Sequence, residues 1–135
     1  MKLSLTILVA LALTAAGSAL ASSNGKTLTI RHQLHGCHSW SFDGASWRAA
    51  QSATMARGAT LTVIDNDVMP HTLIRVSGPK ASMLHGSMTH MGATARVSFP
   101  AKGTYVFTTK AGEDYMKGMK TIGEDNVLRL VVTVA

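Results

Sequence analysis

The sequence predicts an all-β protein, a sandwich or barrel. Three observations carry this. No long segment after residue 22 holds a helical period; several short segments alternate apolar and polar residues; and Gly58, Gly78-Pro79, Pro100 and Gly103 punctuate them. Short strands at this spacing with Gly/Pro turns are the pattern of two packed sheets rather than of helices.

The elements follow in chain order. Residues 1–21 are set apart. Lys2 is a positive start, Leu3 to Ala16 an apolar stretch, and Ala19-Leu20-Ala21 a small-x-small cleavage site, the three-part pattern of a secretory signal peptide. The expected domain is therefore 22–135, exported to a periplasmic or extracellular space, with no membrane anchor after cleavage. No cysteine follows the apolar run to take a lipid. In 27–34, Leu28, Ile30, His32 and Leu34 share one face, which makes a first strand with His32 as a core histidine. Residues 44–56 are less regular and could include a short helix. Residues 60–64 and 72–76 are β-branched or apolar runs. Segments 95–99, 105–109 and 128–134 alternate again, with Val97 and Phe99, Tyr105 and Phe107, and Leu130 and Val132 on their inner faces. Trp40 and Trp47 are expected as core or rim aromatics.

The charge excludes more than it identifies. The formal +6 is spread over scattered Lys and Arg with few aromatics between them, which argues against nucleic acid. A basic surface does suit an acidic protein partner. The chain has one cysteine, Cys37, in the stretch RHQLHGCHSW, with His32, His35 and His38 around it. A single thiol in an oxidising compartment is buried, metal-bound or paired between chains. One cysteine also excludes covalent heme attachment. No spaced histidine pair with a catalytic carboxylate points to zinc hydrolysis, and no enzyme is expected.

The segments GATLTVIDNDVMPHTL (58–73) and ATARVSFPAKGTYVFTTKAGEDYMKGM (93–119) resemble the cupredoxin family. The resemblance implies a Greek-key β-sandwich, copper as cofactor, and a role in copper handling or electron transfer. It places Asn66 and Pro70-His71 in the first ligand segment, which makes His71 a metal candidate. The family's cysteine position is Thr109 here, its second histidine position Asp114, and its methionine position Met119. Blue-copper geometry needs a thiolate and two imidazoles, so this chain cannot build that site in the usual way. The fold implied by the resemblance brings the end of the first strand to the pole of the Pro-His loop. Cys37, His38 and His71 are therefore read as a rebuilt site, with Glu113 or Met119 as a further donor, and His35 nearby. A second segment, SMLHGSMTHMG (82–92), collects Met83, His85, Met88, His90 and Met91, donors that suit copper, in a loop between strands. The expected partners are a copper ion and a redox or copper-transfer protein, with the chain a monomer. The alternative is a cupredoxin-like interaction module without metal.

Overall fold

The computed structural model describes residues 25–113 and 122–135. They form ten strands and, among the described residues, no helix: β1 (Gly25–Gln33), β2 (Cys37–Phe42), β3 (Ala50–Met55), β4 (Thr60–Asn66), β5 (His71–Ser77), β6 (Ser82–Leu84), β7 (Ser87–Met88), β8 (Ala93–Ser98), β9 (Gly103–Ala111) and β10 (Arg129–Val134). Two five-stranded sheets result, in the orders β2-β1-β4-β8-β6 and β3-β10-β9-β5-β7. Every connection from β2–β3 to β8–β9 crosses between the sheets; only β1–β2 and β9–β10 stay within one, as a Greek-key sandwich allows. The all-β sandwich read from the sequence is the architecture found. Residues 1–21, expected as a signal peptide, lie outside the described residues.

The core sits between the sheets. Leu28, Ile30, Trp40, Leu61, Val63, Val97 and Phe99 come from one side, and Leu73, Tyr105, Phe107, Leu130 and Val132 from the other. β1, β4, β8, β9 and β10 supply alternate residues, as half-buried strands must. The Phe99 and Tyr105 rings meet edge to face at 5.0 Å. Tyr105 satisfies its hydroxyl on the Ala101 carbonyl at 2.7 Å, so the ring is buried without an orphaned polar group.

Three local expectations change. The 44–56 stretch holds no helix. Its Ala-rich composition favours one, but Ala50–Met55 pairs in parallel with β10, and Met55 enters the core. Cross-strand pairing overrides weak propensity here. Leu34 is exposed, because β1 ends at Gln33 and the chain turns through Gly36 before the alternation reaches it. The 82–92 segment is not a simple loop: it forms β6 and β7, and Met88 is a core residue opposite His71.

The pairing of β1 with β4 positions the site. They run parallel, with Arg31 beside Asn66. Their C-terminal ends therefore arrive together, and the next residues, His32 and Asp67, lie at one pole. The β1–β2 hairpin brings His38 opposite His32 in the same sheet. The 67–70 link then crosses to β5 and delivers His71 from the second sheet. The rule that residues after the first strand fall at the Pro-His pole holds for Cys37 and His38.

Candidate metal centre

The pole is built around Asp67. Two successive Asx turns set its position: the Asp67 N–H donates to Asp65 Oδ1 at 2.9 Å, and the Met69 N–H donates to Asp67 Oδ1 at 3.2 Å. Its other oxygen, Oδ2, accepts from His38 Nδ1–H at 2.8 Å and from His71 Nε2–H at 3.0 Å. Oδ1 also faces His32 Nδ1 at 3.5 Å. Three histidines from β1, β2 and β5 thus converge on one buried carboxylate. The His38 and His71 rings meet edge to face at 4.8 Å.

His71 is engaged on both nitrogens. Nε2 lies 3.0 Å from Asp67 Oδ2, and Nδ1 lies 2.8 Å from Thr109 Oγ1. Thr109 pairs with Leu73 on β5, so it shares a sheet face with His71 two residues earlier. Thr109 therefore touches His71 through its hydroxyl. His38 is different. Its Nδ1–H is spent on Asp67, and its buried Nε2 has no hydrogen-bond partner among the described residues. A histidine that donates one N–H to a carboxylate presents its other nitrogen as a lone pair, the arrangement found behind most metal-ligating imidazoles.

The electrostatics of the two aspartates diverge. Burial pushes Asp67 up, but hydrogen bonds from His38 and His71 and the charge of both rings outweigh it and hold the carboxyl well below the usual range. Asp65 is raised from 3.8 to about 6, chiefly by burial, with the Asp67 N–H and His71 pulling it partly back. Its Oδ2 is buried without a partner among the described residues. A carboxyl raised on folding binds its proton more tightly in the native chain. Stability from Asp65 is thus greatest below about pH 4 and falls as pH rises towards 6, by at most about 3 kcal/mol at roughly 1.4 kcal/mol per unit. Asp65→Asn removes this dependence. Urea unfolding of metal-free protein at pH 4.5 and 6.5 should show the variant gaining on wild type at the higher pH; equal differences at both would refute the assignment.

Two donor groups, each with ligand atoms within 4.8 Å of one another, share His38: His38–Asp67–His71, all buried, and Cys37–His38–Asp125, with Asp125 exposed. Of the sequence-predicted donors, His38 and His71 come together, and Cys37 lies beside His38. Cys37 and His71 fall in separate groups rather than in one. Glu113 is exposed at the end of β9 and belongs to neither, and Met119, with Asp114, lies outside the described residues. His35 is exposed and bridged to Ile122, away from both groups. His32 reaches the pole instead of the core. Trp40 is core; Trp47 lies at the surface beneath the Arg31 guanidinium, 4.1 Å away. His85 and His90 line a shallow surface depression, with Met83 and Met91 exposed beside it in sequence. Sequence reasoning missed Asp67, Asp125 and Met69. Only Asp67 had a signal: it lies four residues before His71, in a DND run at the end of a strand.

The donor chemistry fits copper. Two imidazoles and a carboxylate suit the divalent ion, and the partnerless Nε2 of His38 is a buried donor atom lacking any other use. The family's own thiolate geometry does not fit, since Thr109 offers oxygen.

No family model matches the chain, and no curated protein matches it. Among solved structures, it is similar to a novel purple cupredoxin from Nitrosopumilus maritimus, at 13% identity over 81% of this chain and 98% of that one, with a TM-score of 0.47. It is also similar to amicyanin from Paracoccus versutus, at 13% identity over 87% of each chain and a TM-score of 0.45. A third is a chain of a heme-copper terminal oxidase dimer, at 11% identity over 91% of this chain and 76% of that one, with a TM-score of 0.46. The reading of the site stands on its own donors.

Proposed function

We propose that this chain is an exported copper-handling protein that holds Cu(II) through His38, Asp67 and His71. One observation supports this above the others: three buried residues each offer a ligand atom, and these atoms lie within 4.8 Å of one another. Copper heads the affinity order of divalent ions at such sites. The ionised carboxylate favours the divalent state, and this weights the role towards carrying or storing copper over electron transfer. The bound ion would supply a Lewis-acidic, redox-active centre. The protein's part is to bring the two rings and the carboxylate together at a buried pole that excludes water. The signal-peptide pattern supports a periplasmic or secreted location, where a copper-transfer or redox protein is the fitting partner.

Titrating the exported chain with Cu(II) tests the reading. Electron paramagnetic resonance should show one bound equivalent with coupling to two imidazole nitrogens. His38→Ala and His71→Ala should each weaken binding by about 100-fold or more, as loss of a ligand outweighs the 10–100-fold cost of losing its support. An unbound spectrum at stoichiometric copper would favour the second reading, a metal-free interaction module. That reading has its own support: His71 and Asp67 are fully hydrogen-bonded without an ion.

A further inference from the structure

The sulfur atoms of the pole adjoin the His38–Asp67–His71 group, Cys37 beside His38 and Met69 just after Asp67. Cys37 opens β2 with a φ of 65°, directly after Gly36 at 77°. A residue with a Cβ in the left-handed region is uncommon and costs about 1–3 kcal/mol, so its neighbours must gain from the placement. The placement breaks the alternation of β2. Cys37 would otherwise project to the face opposite His38. Instead its Sγ meets Met69 Sδ at 3.2 Å and His32 Nδ1 at 3.7 Å.

We propose that Cys37, Met69 and His32 form a second, soft site that takes Cu(I). The inference rests on the reading of this pole as copper-handling and adds a site for the other oxidation state. Thiolate and thioether select the monovalent ion, and imidazole accompanies either state. The thiol proton leaves to solvent as the ion binds, since metal coordination deprotonates a cysteine. No electron transfer is required, because each ion enters its own donor set.

Burial and support agree with a site. Cys37 is 2% exposed, and the His32 side chain is 10% exposed, while Met69 is half-buried at the rim and leaves an entry side. Met69 is fixed on one side by its N–H on Asp67 Oδ1 and on the other by Pro70. The same Oδ1 faces His32. Asp67 therefore supports both sets, the nitrogen donors through Oδ2 and the soft donors through Oδ1. His38 also groups with Cys37, their ligand atoms lying within 4.8 Å. Sites of opposite preference thus adjoin at one residue.

Anaerobic competition for Cu(I) against bicinchoninate, run beside the Cu(II) titration, tests the inference. Cys37→Ser should weaken Cu(I) by about 100-fold and Met69→Leu by about 10-fold, both with the Cu(II) resonance retained. His71→Ala should show the reverse pattern. Met69→Leu keeps side-chain volume, so it reads the site even if Cys37→Ser folds poorly. Cu(I) affinity within threefold of wild type in both sulfur variants overturns the soft site. Joint loss of both ions in Cys37→Ser and in His71→Ala overturns the two-site arrangement. Wild type that binds Cu(I) but not Cu(II) sinks the earlier reading while sustaining this one.

Discussion

Asp67→Ala should cost about 3 kcal/mol of stability and at least about 100-fold in Cu(II) affinity, the largest double effect of any single substitution at this pole. The reason is convergence. One carboxylate accepts from His38, His71 and the Met69 N–H, and it faces His32. Its removal leaves three buried donors without an acceptor. Each orphan costs on the order of 1–3 kcal/mol, partly recovered where water enters the space. Copper affinity falls twice over, through loss of a carboxylate donor and through loss of the group that fixes both rings. Asp67→Asn separates these losses. It keeps the shape and one acceptor oxygen, so stability should recover in part, whereas the missing charge keeps affinity low. The pH dependence gives a further check. A carboxyl held below its ordinary value stabilises the fold above about pH 4, and that contribution disappears as pH falls. Wild type should therefore lose stability in acid more steeply than Asp67→Ala, measured as urea midpoints on metal-free protein. Parallel acid limbs would show that Asp67 is not the ionised hub.

How much of this pole is legible in the sequence depends on the range of the interaction. Strand positions follow from local alternation. Leu28 and Ile30, or Val97 and Phe99, face the core in the structure as their spacing demands. His71 is marked by the Pro-His pair at a strand start. His38 follows from topology, because β1 and β4 end together and the hairpin carries β2 back over that end. Asp67 is harder. In a DND run, Asp65, Asn66 and Asp67 look interchangeable as turn formers. Asp65 and Asp67 are both buried, and only the two Asx turns, with Asp65 accepting from the Asp67 N–H and Asp67 from the Met69 N–H, decide which carboxylate meets the histidines. Glu113 illustrates the converse. Its type is right for a ligand, but Glu113 is exposed, just after Gly112, whose N–H donates to the Pro70 carbonyl at 2.8 Å.

The orientation of Cys37 is illegible for a backbone reason. Strand periodicity assigns it to the face opposite His38, and nothing in the letters GCH announces a cysteine with positive φ. Gly36 is the clue available after the fact. Its own φ is positive, and a Cβ there would overlap the Asn126 amide, which donates to the His38 carbonyl at 3.1 Å. The 122–126 segment thus closes over the hairpin, with Gly36 N–H on the Ile122 carbonyl and Asn126 N–H on the Gly36 carbonyl. That closure carries Asp125 to Cys37 and His38 across almost ninety residues of sequence, a distance at which pattern reading has no purchase.

Thr109→Cys should convert this pole towards the thiolate geometry of the family it resembles. The change is best made in a Cys37→Ser background, so that a single thiol is present. Thr109 Oγ1 lies 2.8 Å from His71 Nδ1, so a sulfur placed there neighbours the ligand histidine. On the proposed reading His38, whose ring lies 4.8 Å from that of His71, supplies the second imidazole. Folding should tolerate the change: Thr109 is half-buried on β9, and losing its hydrogen bond to His71 costs about 1 kcal/mol. Adding Cu(II) should then produce an intense visible thiolate-to-copper charge-transfer band, absent from Cys37→Ser alone, with affinity raised about tenfold or more, since a thiolate adds a strong donor and is deprotonated by the ion it binds. A third variant, with His38→Ala added, should lose the band, because two imidazoles are needed to hold the ion beside the sulfur. Cu(II) bound without a band in the Thr109→Cys protein would place the ion on the His38 side of His71, out of reach of β9. The hydroxyl of Thr109 would then be a structural partner of His71 alone, and the thiolate position of the family would have no counterpart in this pole.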